Sequence, residues 1–151
     1  MVSKRVVTDE ALPVVGSSGF GPQHGLTQPA NSIIEKIFVR ILEAPTIAQG
    51  DISFECGTET ASPFDNIISN TTNDDNLLDN GTTLDPKVLF EMTTNADTTW
   101  AGQGVATGDI AAENPSNLVT EDTLINFHFK TSTNVAARGK FEVSFVFRVF
   151  E

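Results

Sequence analysis

Lys140-Phe141-Glu142-Val143-Ser144-Phe145-Val146-Phe147-Arg148-Val149 is the stretch that decides the fold of this chain. Phe141, Val143, Phe145, Phe147 and Val149 alternate with Lys140, Glu142, Ser144, Val146 and Arg148. Successive side chains of an extended strand point to opposite faces, so a period of two marks a strand with one buried face. Aromatic and β-branched residues fit such a pleated, half-buried surface.

Four further stretches read the same way. In Ile33–Glu43, Ile33, Ile37, Val39 and Ile41 fall on one face and Lys36 and Arg40 on the other, until Ala44-Pro45 stops the strand. Ile52, Phe54 and Cys56 share a face, and Val88, Phe90 and Met92 align within Lys87–Thr93. Thr123–Lys130 sets Ile125, Phe127 and Phe129 against Leu124, Asn126, His128 and Lys130. Eight residues join the first of these strands to the second, and eight more, Thr131–Arg138, lead into the closing strand. Both lengths predict antiparallel hairpins with longer loops. Phe64–Ile68 reads as a helical turn or an edge strand, Thr98–Trp100 as a short strand, and Asn70–Asp85 and Gly102–Pro115 as loops. No convincing amphipathic helix and no internal repeat occur. The pattern predicts an all-β fold, an antiparallel, jelly-roll-like β-sandwich over residues 32–151.

Residues 1–31 differ. Three prolines (Pro13, Pro22, Pro29) and four glycines (Gly16, Gly19, Gly21, Gly25) interrupt any period. Proline removes a backbone donor and glycine raises the entropy of ordering, which predicts an extended arm that does not fold alone. Its apolar beads, among them Val14, Val15, Phe20 and Leu26, predict burial on a neighbouring subunit or partner.

The net charge is −11, and between Ile41 and Phe129 Lys87 is the sole base among fifteen acids. Nucleic acid requires a basic footprint and an anionic membrane repels such a surface, so neither is an expected partner. The acidity fits solubility at high local concentration, or a partner with basic patches. There is one cysteine, Cys56, which excludes an intrachain disulfide framework and reads as a small buried hydrophobe. Neither a secretory h-region nor a run long enough to span a bilayer is visible, which predicts synthesis in a cytoplasm.

Site chemistry is sparse. Asn73–Gly81 carries oxygen ligands, but its spacing misses the calcium-loop pattern and reads as a solvated acidic loop. His24 lies in the arm, and His128 falls on the polar side of its strand, where it reads as a surface residue. No nucleophile elbow or nucleotide loop occurs. Trp100 reads as a core or interface anchor, with a sugar-stacking platform as the alternative. No cofactor and no metal are expected, and an enzyme ranks last. The second faces of the outer strands carry Phe38, Leu42, Val146 and Phe150, more apolar surface than a monomer's solvent face needs. This predicts a covering subunit.

The layout resembles small structural proteins of tailed bacteriophages. The resemblance rests on Ile34-Glu35-Lys36-Ile37-Phe38-Val39-Arg40-Ile41, Asp51–Thr58, Asp122-Thr123-Leu124-Ile125-Asn126-Phe127, and the small-residue turn and strand Ala136–Val143. It covers about residues 32–151, as a pattern of strands. It implies a non-enzymatic virion protein, made in the host cytoplasm, that self-associates, commonly as a homotrimer. A capsid decoration (cement) protein bound to the major capsid protein is the leading form. A head fibre, a tail fibre or a tail adaptor domain, and a carbohydrate-binding module using Trp100, are the alternatives.

Overall fold

The computed structural model describes residues 1–47, 52–61, 67, 76–78, 89–93 and 118–151, with the strands at 76–78 and 89–93 defined by their backbone pairing. Among these residues there are eleven β-strands and no helix. They are β1 (Val2–Thr8), β2 (Gly19–Phe20), β3 (His24–Gln28), β4 (Ser32–Glu43), β5 (Thr46–Ile47), β6 (Ile52–Gly57), β7 (Asn76–Leu78), β8 (Leu89–Thr93), β9 (Thr123–Thr131), β10 (Val135–Ala137) and β11 (Lys140–Val149).

The first sheet has the order β1-β11-β4-β8. The second has the order β2-β9-β6-β7, and β3 continues beyond β2 along the same flank of β9. A two-stranded ribbon, β10-β5, forms a corner. Every pairing is antiparallel.

The alternation in each strand sets its buried face. Ile34, Ile37, Val39 and Ile41 of β4 and Phe141, Val143, Phe145 and Phe147 of β11 are fully buried on the first sheet. Ile52, Phe54 and Cys56 of β6 and Ile125, Phe127 and Phe129 of β9 oppose them from the second. Phe127 approaches Phe145 at 6.0 Å between ring centroids, so the two sheets meet through aromatic contacts. A phenyl ring needs no hydrogen-bond partner, and a core of Phe without Tyr can therefore close completely.

The five strands read from the alternation are present, at nearly the expected limits. Their partnering differs from the expected hairpins. β4 and β6 lie in different sheets, and so do β9 and β11. An eight-residue connection spans the gap between layers as well as it turns within one, and alternation reports a buried face without naming a neighbour. The corners carry the crossing: Pro45 is buried, and Gly139 takes φ of 70° beside it. The inner face of β4 begins at Ile34 rather than Ile33. The register passes from Val146 opposite Lys36 to Phe147 opposite Ile34, so Glu35 is an extra residue that shifts the phase. The stretch read as a loop over 70–85 contains β7, which pairs with β6. The readings of Thr98–Trp100, Gly102–Pro115 and most of Phe64–Ile68 and Asn73–Gly81 fall outside the described residues.

Residues 1–31, expected as an arm beyond the sandwich, supply strands to both sheets. β1 pairs with β11 over seven residues, from Val2 opposite Phe147 to Thr8 opposite Phe141. β2 and β3 pair with β9. Ala11 and Leu12 are completely buried and Leu26 is 8% exposed, so these beads are covered within the same chain. Residue 31 is therefore not a boundary between packing units. The glycines and prolines separate short edge strands: Gly16 and Gly19 take φ of 85° and 100° at turns, and a Cβ on Gly21 would collide with the Ala11 carbonyl.

Candidate interaction surfaces

The outer face of the first sheet is built by the residues that alternate with its core. Phe38 sits opposite Ser144, Arg40 opposite Glu142, and Val146 opposite Lys36. β1 adds Arg5 opposite Ser144 and Val7 opposite Glu142. Phe38, Leu42 and Val146 are half-buried here. Their long charged neighbours cover part of them with aliphatic stems. Lys36 Nζ lies 6.0 Å from the Phe38 ring centroid, Arg5 pairs with Glu142 at 3.5 Å, and Arg148 pairs with Glu35. This face thus presents Arg5, Lys36, Arg40 and Arg148 with the carboxylates of Glu35 and Glu142 around an apolar centre.

The other expected contact residues lie elsewhere. Val14 and Val15 are 62% and 64% exposed at the tip of the β1–β2 connection. That tip is held on β10, where Gly16 N–H donates to the Val135 carbonyl at 2.8 Å and Val135 N–H to the Ser17 carbonyl at 3.0 Å. Phe150 is 46% exposed at the opposite end, and its N–H donates to the Asn31 carbonyl at 2.7 Å. With Asn31, Leu118 and Glu151 it lines a depression of about 410 Å³. Phe20 lies on the second sheet. Leu26 faces the core from β3 and offers no contact surface.

On the outer side of the second sheet lies a polar cluster that the sequence reading missed. Glu55 of β6 sits opposite His128 of β9, and the two side chains are hydrogen-bonded, 1% and 3% exposed. Phe20 stacks on the His128 ring, centroids 4.5 Å apart and planes at 22°, and Lys130 Nζ lies 5.2 Å from the Phe20 centroid. Next along β9, the Asn126 amide donates to the Glu59 carbonyl at 2.9 Å and accepts from Gln23 Nε2 at 3.0 Å. His128 is thus a buried residue, not the surface residue its position on the polar side of the strand predicted. The signal available was the juxtaposition of a carboxylate and an imidazole on two strands, which becomes visible only with the register known.

His24 also departs from expectation. It faces inward from β3, its ring 5.5 Å from Phe127, and burial holds its pKa below the ordinary value. Its Nε2 is enclosed without a hydrogen-bond partner among the described residues. The His128 ring is buried, and His24 is partly buried with its Nε2 enclosed. Among the described residues no three or more His, Cys, Asp or Glu side chains converge to hold a metal ion. The described surface carries apolar positions among charged residues of both signs on one sheet, and exposed apolar residues at both ends.

No protein-family model and no curated protein matches the chain. Among solved structures, a chain of the cyanophage Pam1 capsid asymmetric unit is 10% identical, with 98% of this chain and 82% of that chain covered, at a TM-score of 0.44. A chain of the capsid of Ralstonia phage GP4 is 11% identical, with 99% and 84% covered, also at 0.44. Likeness of this size carries no argument about the fold or the work of this chain.

Proposed function

We propose that the chain is a non-enzymatic structural protein of a phage virion, a decoration protein that binds the head shell and stabilises it as a homo-oligomer, in the form of a trimer. The observation that carries this reading is the outer face of the first sheet. Phe38 and Val146 stand there on the two inner strands of the sheet, with Leu42 towards the end of β4, all interleaved with charged residues. Such a surface, half-buried apolar positions within a polar rim, suits a flat contact with another protein subunit. The strand pattern shared with small phage structural proteins supports the same reading. Val14, Val15, Phe20 and Phe150 are the further contact residues, and they lie far enough apart to engage more than one neighbour. Several weak contacts made at once give attachment stronger than any one of them.

The experiment is addition of the purified protein to phage heads and tails prepared without it, followed by sedimentation. Binding to heads, with raised resistance of the heads to heat, is the expected result. Binding to tails alone would move the protein to the fibre or adaptor class. Failure to bind either would overturn the virion reading.

A further inference from the structure

β1 is an open edge of the first sheet: it pairs with β11 on one flank, and no strand pairs with its other flank among the described residues. An edge of seven extended residues offers its backbone N–H and C=O groups as a template for a further strand. Val2 and Val7 are 40% and 44% exposed on it, so apolar surface adds to the attraction. Left to its backbone and its valines, this edge would recruit strands, β1 of a second copy among them.

Lys4 stands in the middle of that edge. It lies opposite Phe145, between Val2 opposite Phe147 and Val6 opposite Val143. Those three partners on β11 are fully buried, so the register sets the Lys4 side chain on the inner face. A lysine at such a position must keep its charge solvated. It does so at the opening between the two layers, where Nζ donates to the Thr27 carbonyl of β3 at 2.6 Å and the residue stays half-buried. One bond to a carbonyl leaves two of the three ammonium donors for water.

We infer that Lys4 bars the β1 edge to strand addition. A strand laid along β1 would place its own inward side chains over the opening between the layers. The ammonium would then lose its water with a single carbonyl as partner, and burying a charge so poorly paired is costly. An inward-pointing charge protects an edge for this reason. The outer face opposes self-pairing too. Two copies of β1 paired along their whole length, centred on residue 5, bring Arg5 opposite Arg5, and a register centred on residue 4 brings Lys4 opposite Lys4. Like charges directly opposite destabilise a strand pair. The self-association proposed above is thereby confined to the sheet face and the two ends.

Lys4→Val and Lys4→Gln, each in the full chain, test the role of the charge; Lys4→Gln keeps a side-chain donor. Both make the net charge more negative than −11, which by itself opposes association. Light scattering over a concentration series and hydrogen exchange of the β1 amides are read against the unaltered protein, whatever its own oligomeric state. Larger species are expected in Lys4→Val at a concentration about tenfold lower than in the unaltered protein, or lower still. The freely exchanging β1 amides become protected as those species form. Lys36→Val, which removes a lysine from the outer face of the same sheet, leaves β1 exchange unchanged. A folded Lys4→Val with the size distribution of the unaltered protein would overturn the barrier, and where Lys4→Val does not fold the same result in Lys4→Gln does so. Larger species without new protection in β1 would overturn it as well, since they would be joined elsewhere.

Discussion

Phe129 meets Phe141 edge-on across the two sheets, ring centroids 4.7 Å apart and planes at 89°. The positive rim of one ring faces the negative face of the other, an arrangement that aromatic pairs favour. Both residues stand at the same end of the sandwich, next to the β5–β10 ribbon, and they join the start of β11 to β9.

Phe145 is the centre of this packing. It is fully buried, with Phe127 across the gap and Phe147 beside it at 6.2 Å. Phe145→Ala is expected to lower unfolding free energy by roughly 3–5 kcal/mol, the range for a truncated core phenylalanine. Val146→Ala, one residue on and facing outward, is expected to cost under about 1 kcal/mol. Urea denaturation of the two variants would reverse this order if the faces were exchanged.

Glu55→Ala leaves His128 buried without its carboxylate. A buried polar group stripped of its hydrogen-bond partner costs about 1–3 kcal/mol, and replacing both partners with apolar groups costs less. Glu55→Leu combined with His128→Leu is therefore expected to be more stable than Glu55→Ala alone. Denaturant titration of the single and double variants measures the difference. Equal losses would place the pair's importance in packing and not in the hydrogen bond.

His24 supplies a pH dependence. Burial lowers its folded-state pKa from 6.5, while the unfolded chain keeps the ordinary value. As pH falls through 6.5 the unfolded chain takes a proton that the folded chain resists, so stability falls with pH until the folded-state ring also titrates. At higher pH both forms are neutral and the effect vanishes. His24→Gln is expected to flatten this part of the profile between about pH 7.5 and about pH 5.5. Melting temperatures of both proteins across that interval give the test.

Gly139→Ala tests the corner between β10 and β11. Gly139 has φ of 70°, and an added Cβ would stand 3.0 Å from Pro45 Cβ. The left-handed conformation costs a residue with a Cβ about 1–2 kcal/mol. The contact with Pro45 adds to this, and thermal unfolding is expected to show at least the backbone part of the loss.

The strands with dense alternation were legible because one face of each is a row of Ile, Val or Phe. β3 was not, since His24, Leu26 and Gln28 face inward together and only Leu26 is aliphatic. β2 is two residues long, too short to show any period. Gly and Pro in residues 1–31 predict a segment that does not order alone, whereas in the fold they punctuate edge strands that order by pairing with β9 and β11. Periodicity also places polar residues such as His128 on an outer face without showing that this face is covered. Of the expected contact residues, Phe38, Leu42 and Val146 do share one face, because they follow the alternation. Leu26, an isolated apolar residue with no alternation around it to show its face, packs in the core.

The pairing of β1 with β11 joins residues that are as far apart in the chain as 2 and 147. A ribosome releases the first strand long before its partner exists. Until β9 and β11 emerge, β1, β2 and β3 have no flank on which to lie, and any apolar surface they carry waits in the open. Contacts of such large sequence separation form late and slowly. The second sheet can take up β2 and β3 once β9 exists, whereas β1 must wait for β11, so the two layers complete this side at different times.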